Sequence, residues 1–330
     1  MDQTNRITAG GGRSHNLFEK IISLDNLFTA WREFRRNKLK KQDVLAVTDN
    51  LEDNIFSLHQ DLLSGTYCHG PYHSFFLCDP KKRHIHKASV RDRLLHHAIH
   101  RVLEPIFEPT FIYDSYASRD NKGLHKALKR FNQMAWKLSR NDTKTVWVLK
   151  CDVQKFFDSV DHSILFSLLR KKILDNHARN LIIDVIKSFE KSSGKGLPLG
   201  NLTSQLFANI YLNHFDQFIK RELGVKNHVR YVDDFVILSN NKKYLEDVLL
   251  AVSSFLKSEL SLELHQRKVI FRKWHQGVDF LGYVLFPHHQ ILRTKTKKRI
   301  FRKITNESRQ SYFGLLKHCR GRKIREELGG

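Results

Sequence analysis

The sequence predicts an α+β chain, on two strand signals and the helices placed between them. Thr145–Val153 is apolar and β-branched and closes on Cys151-Asp152, while His228–Leu238 reads as two short strands around Asp233-Asp234. Helical periodicity covers Ile164–Ile173, Leu181–Phe189 and Leu202–Leu223 between those strands, and Leu245–Leu260 after them. Short apolar runs interleaved with 3.6-residue patterns make one mixed core, not a helical bundle.

The other elements follow in chain order. Residues 1–14 are polar, carry Gly10-Gly11-Gly12 and read as a flexible tail. Leu24, Leu27, Phe28, Trp31 and Phe34 recur at helical spacing ahead of the basic stretch Arg35–Lys41. A second helix is predicted over Leu51, Ile55, Leu58 and Leu62, closed by Gly65, and His73–Cys78 is extended. Ser89-Val90-Arg91-Asp92 has the pattern of a helix start in which the Ser89 hydroxyl accepts from the Asp92 amide. The helix behind it should bury Leu94, Leu95, Ala98, Val102 and Leu103, and Pro105 should stop it. Arg293–Gly330 holds 13 Lys or Arg against 3 Glu, with helical period over Ile300–Ile304 and Tyr312–Leu316. Charge of one sign at that density predicts a face laid along a phosphate backbone.

The 330 residues include 57 Lys plus Arg and 34 Asp plus Glu, a formal net charge of +23, beside 41% hydrophobic residues. The apolar share supports a packed core, and the charge points to a polyanionic partner. No apolar run reaches the roughly 18–20 residues of a spanning helix, so no membrane partner and a cytoplasmic location are expected. Cys68, Cys78, Cys151 and Cys319 form no CxxC pair, which argues against a zinc ribbon and a disulfide framework. Adjacent histidines at His96-His97 and His288-His289 would point about 100° apart on a helix. They read as polar surface or RNA-facing groups, not chelators.

Two neighbouring carboxylates at Asp233-Asp234 repel each other and add nothing to packing, an arrangement that a divalent cation makes tolerable. The plain alternative is turn chemistry, which also favours Asp. Asp152 ends the other central strand. If the two strands are neighbours, Asp152 and Asp233 converge and could hold two Mg2+ ions for in-line nucleotidyl transfer.

Longer segments around these residues carry a resemblance. Tyr231-Val232-Asp233-Asp234 resembles the catalytic Tyr-x-Asp-Asp motif of reverse transcriptases, and Asp152-Val153-Gln154-Lys155-Phe156-Phe157 their first catalytic-aspartate motif. Gly196–Gln205 resembles the motif between these two, Phe280-Leu281-Gly282-Tyr283 the primer grip, and Ser115–Gly123 a fingers motif. Within that superfamily the chain resembles the enzymes of diversity-generating retroelements. The carrier is Gly200–Asn209, where Leu199 and Gln205 replace the Gln and Pro of most reverse transcriptases. Lys87–Arg93, Phe286-Pro287-His288-His289 and Ser311–His318 add to it.

The resemblance implies a right-hand polymerase: an N-terminal region and fingers over 15–140, with the fingers from about 50, a palm with an antiparallel sheet over 141–290, and a basic helical thumb over 291–330. A helical insertion at about 162–195 belongs to the palm. It implies Asp152 and Asp233 as metal ligands, Asp234 as a supporting carboxylate, and the Val153 carbonyl as a further ligand. Phe157 would exclude a 2′-hydroxyl and so select dNTPs. Arg83, Lys87, Arg91 and Arg119 are the candidate triphosphate contacts, with Arg83 and Arg119 favoured. Lys268 lies where polymerases carry a lysine able to protonate pyrophosphate. Gly200 would let backbone approach the nascent pair, Leu199 cannot hydrogen-bond the pair, and Gln205 joins the nucleotide-binding set. Lys297, Lys298, Arg299, Arg302 and Lys303 would hold the nucleic-acid backbone. The implied partners are a template-repeat RNA, its RNA/cDNA duplex, dNTPs and an accessory variability protein, in a bacterial or phage setting. Misincorporation opposite adenine is implied as well. The shortness of the tail after the thumb is read here against a full group II intron protein. A retron-like or defence-associated reverse transcriptase, and a non-catalytic RNA-binding protein on the same fold, stay open as alternatives.

Overall fold

The computed structural model describes residues 16–78 and 82–327, and the expected tail at 1–14 lies outside the described residues. Four helices open the chain: α1 (Leu17–Ile22), α2 (Leu24–Phe34), α3 (Gln42–Thr48) and α4 (Leu51–Leu63). Each buries one stripe, Leu27, Ala30, Trp31 and Phe34 on α2 and Ile55, Leu58 and Leu62 on α4. A hairpin of β1 (His73–Leu77) and β2 (Arg83–Lys87) follows, its first strand exposed along its whole length. Ser89 caps α5 (Val90–Phe107) as expected, its hydroxyl accepting from the Asp92 amide at 3.1 Å. Pro105 does not stop this helix, which runs on to Phe107. An interior proline forfeits one hydrogen bond and costs about 3 kcal/mol, and burial of Leu103 and Phe107 offsets that loss.

After α6 (Leu124–Ser139) come β3 (Trp147–Asp152), α7 (Phe156–Ser159), α8 (His162–Arg170) and α9 (Asn176–Lys187). Then follow α10 (Leu202–Gln217), β4 (His228–Tyr231), β5 (Asp234–Ser239), α11 (Lys242–Leu260) and β6 (Ile270–Lys273). The periodicity read to Leu223 ends in a π-helical turn, Phe218–Glu222. The central sheet has the order β4-β5-β3-β6 and is antiparallel throughout, with Asp152 opposite Asp234 in the β3–β5 register.

Both faces of that sheet are covered, which explains the near-continuous apolar strands. Leu149, Cys151, Phe235 and Ile237 belong to a core shared with α5, α10, α11 and the N-terminal helices. Val148, Val229, Val236 and Leu238 face a second core with α6. This second core also takes in the small sheet β7 (Val278–Phe280), β8 (Tyr283–Leu285) and β9 (Gln290–Leu292), and helix α12 (Thr294–Lys303). Helices α13 (Asn306–Leu316) and α14 (Arg322–Glu327) complete the chain. A division at 290/291 would cut β9, so the helical tail begins after Leu292. Among the described residues no helix is long and apolar enough to cross a membrane.

Candidate active site

The acidic turn is built by strand pairing. Tyr231 and Asp234 face each other across β4 and β5, leaving Val232 and Asp233 as a two-residue turn. Val232 has φ +56°, a conformation that costs a β-branched residue energy and that hairpins usually give to glycine. Arg230 holds the turn from below. Its guanidinium donates to both carboxylate oxygens of Asp216 at 2.6–2.9 Å, to Ser115 Oγ at 2.9 Å and to the Val232 carbonyl at 3.1 Å. This ion pair is fully buried.

The Val153 amide donates to the Asp233 carbonyl at 3.1 Å, which ties the first aspartate segment to the turn. Lys268 Nζ stands 2.6 Å from Asp152 Oδ1, and Lys150 Nζ lies 3.7 Å from Asp234 Oδ1. Burial, then the neighbouring Asp152 carboxylate, push Asp233 up to about 6, with Lys268 acting the other way. Three carboxylates thus gather at one end of the sheet, with Lys268 beside Asp152 and Lys150 beside Asp234. Such a donor set fits a hard divalent cation. Among the described residues no three or more His, Cys, Asp and Glu side chains are grouped closely enough to hold a metal ion by themselves. An open site of one or two carboxylates, completed by substrate phosphates, is how Mg2+ is usually held.

A second wall is assembled from backbone hydrogen bonds. Leu197 donates to the Phe157 carbonyl at 2.7 Å and Gly196 to that of Val160 at 2.8 Å. On its other side the same loop meets β2: His86 donates to the Leu199 carbonyl at 2.9 Å, and Asn201 Nδ2 to the His86 carbonyl at 2.8 Å. Gly200 has φ +115°, and a Cβ there would stand 2.8 Å from the Ile85 side chain. The close approach this glycine permits in the structure is therefore to β2. Phe157, Leu199, Gly200 and the strand bearing Arg83 form one wall. Arg83 is exposed and acts electrostatically on Tyr231, beside the acidic turn. Gln205 is exposed on α10 while Thr203, Ser204, Leu206, Phe207 and Ala208 around it are buried.

Three expected triphosphate contacts are engaged elsewhere. Arg119 spends its guanidinium on Glu108 at 2.7–3.0 Å and on the carbonyls of Ile112 and Ser115. Arg91 pairs with Asp61, and Lys87 with Asp43 at 2.6 Å. His96 is no surface group: it is buried, its Nε2 lies 3.2 Å from His69 Nε2, and burial lowers its pKa to about 3. On α12, Lys298, Arg302 and Lys303 are exposed, whereas Lys297 and Arg299 are half-buried. Arg230, Asp216 and Lys150 were not foreseen. Their signal was available, since a charged residue inside an apolar strand needs a buried partner.

Fold and turn together describe a template-dependent nucleotidyl transferase of the right-hand type. Residues 79–285 match the family described as reverse transcriptase (RNA-dependent DNA polymerase), and the chain belongs to that family. It is 26% identical over 283 residues to protein YkfC of Escherichia coli, covering 73% of this chain and 71% of that one. It is also 26% identical over 358 residues to the group II intron-encoded protein LtrA of Lactococcus lactis, covering 86% of this chain and 58% of LtrA. The solved structure of apo telomerase from Candida tropicalis aligns with TM-score 0.53 at 12% identity, over 72% of this chain and 50% of that one. The shared fold is the right-hand polymerase fold.

Proposed function

We propose that the chain copies RNA into DNA, extending a primer with dNTPs at Asp152 and Asp233. The observation that carries this reading is the convergence of the two aspartate segments through the Val153–Asp233 hydrogen bond and the β3–β5 register. Two Mg2+ ions held by Asp152 and Asp233, with Asp234 and the Val153 carbonyl in support, would activate the 3′-hydroxyl and neutralise the departing pyrophosphate. Lys268, at Asp152, is the group to protonate that pyrophosphate. Arg83 supplies charge to the triphosphate, and the Phe157 wall screens the sugar. Asp152→Ala or Asp233→Ala should abolish primer extension on an RNA template while RNA retention on a filter persists. Full extension by either variant would overturn the assignment.

The finer reading is the mutagenic enzyme of a diversity-generating retroelement, working on a template-repeat RNA with an accessory variability protein. Leu199 supports it: an aliphatic side chain next to the nascent pair gives no hydrogen-bond reward for correct alignment. A well-placed contact is worth about 1–3 kcal/mol of discrimination, roughly a tenfold to hundredfold change in selectivity. The singling out of adenine follows from the family resemblance alone. Leu199→Gln should lower errors opposite template adenine in sequenced cDNA and leave the other bases little changed. An adenine error rate unmoved by the substitution would favour a retron-like enzyme.

A further inference from the structure

A groove lies apart from the aspartates. It runs along α6 with a volume of about 820 Å³, closed on its far side by the β8–β9 connection and by His318 of the helical tail. The far wall is Phe286-Pro287-His288-His289 with Gln290 and His318, residues to which the polymerase chemistry gives no role. We propose that this groove, lined by His125, Lys129, Trp136, Phe286, His289 and His318, binds a single nucleic-acid strand outside the catalytic cleft.

Three features point to that ligand. None of the 13 lining residues is acidic and two, Lys126 and Lys129, are lysines, so the α6 wall complements an anion, while His288 across from it stands 3.3 Å from the Asp142 carboxylate. The Lys129 side chain is exposed on α6. The walls also present flat rings. His125 and His318 stack with centroids 3.6 Å apart, and Phe286 and His289 stack at 4.7 Å with an interplanar angle of 8°. Trp136 stands edge-on to His288 at 5.4 Å. Ring faces beside cations are how proteins hold unpaired bases and their phosphates. Finally, the Asn132 amide oxygen is buried in the groove wall with no hydrogen-bond partner among the described residues, an acceptor suited to a base amino group.

The groove is separate from the acidic turn. Trp136 packs on Trp274 with centroids 5.7 Å apart, and the Trp274 amide donates to the Val146 carbonyl at 2.9 Å. Val146 precedes Asp152 by six residues of extended chain, roughly 20 Å. A strand held there is not the segment being copied. The proposal rests on the polymerase reading only in taking nucleic acid as the natural anion.

The test is fluorescence anisotropy with labelled single-stranded oligonucleotides of about 12 nucleotides, one RNA and one DNA. Saturating unlabelled primer–template occupies the cleft throughout. Lys129→Glu and His289→Ala should each weaken binding about tenfold while extension of a short primer–template stays at the parent rate. A 4-thiouridine oligonucleotide should photocrosslink to Trp136 or Phe286. Loss in the RNA arm alone assigns the groove to RNA, and loss in both arms assigns it to either sugar. Unchanged affinity of both variants in both arms, or crosslinks confined to other surfaces, overturns the site. Failure of the polymerase reading would show separately, as absent extension by the unmodified chain.

Discussion

Arg230 lies between Val229 and Tyr231 in β4, and it is 1% exposed. A charge so placed is tolerable only because Asp216, itself 0% exposed, takes it with two-oxygen geometry. The pair fixes β4 to α10 and, through the Val232 carbonyl, sets the strained turn that presents Asp233. Arg230→Met would leave the Asp216 carboxylate buried alone and should cost about 3–5 kcal/mol in urea unfolding. Arg230→Met with Asp216→Leu should recover most of that stability yet still lose polymerase activity, because the turn has lost its anchor. Recovery of both would reduce the pair to packing. The place of Asp152 at a strand end and of Asp233 in a turn was legible from the sequence because strand pattern and turn length are local. The partner of Arg119 was not legible, for the opposite reason. Its partner Glu108 is eleven residues away, and no local pattern says which anion a buried guanidinium will find.

At the level of elements, the long periodic helices and the two central strands were readable, and the sheet of β7, β8 and β9 was not. Its strands are three residues each, too short for a period of two to register. The first position of β4 hides another property. His228 is fully buried, with its ring set edge-to-face against Phe215 at 6.2 Å and Phe235 at 5.9 Å. Neither ring nitrogen has a hydrogen-bond partner among the described residues. Burial first, then Lys220 and Arg230, hold its pKa well below the ordinary 6.5. The folded protein therefore refuses a proton that the unfolded chain accepts. Stability from this group is complete above about pH 6.5 and is lost as pH falls below it. His96, lowered to about 3, and His97, lowered to about 4, act in the same sense. His228→Phe should thus raise Tm more at pH 5 than at pH 8, with acid sensitivity remaining from His96, His97 and the other groups whose pKa values folding lowers. An equal change at both pH values would show that His228 is not held neutral.

For the whole molecule, two cores on opposite faces of one sheet solve the packing, and a net charge of +23 is left for the surface. That charge is concentrated after Leu292, where Ile300 buries α12 against the second core and leaves Lys298 and Arg302 exposed. A buried apolar anchor below a basic outer face is the arrangement that lays a helix along a duplex. The sequence showed the charge but not the face, since Lys297 and Arg299 turn out half-buried. Substitutions should therefore go to Lys298 and Arg302 and not to the whole basic run. Each phosphate contact on duplex DNA contributes roughly 0.9 to the slope of log affinity against log salt, and somewhat less on single strands. If both side chains touch the backbone of a primer–template, Lys298→Ala with Arg302→Ala should flatten that slope by nearly 2. Affinity at low salt should fall by a larger factor than at high salt. Extension at saturating primer–template should hold, because both residues stand on α12 and not on the strands that carry the aspartates. A slope left unchanged in the double variant would move the duplex off α12 and place the neutralising charge elsewhere on the chain.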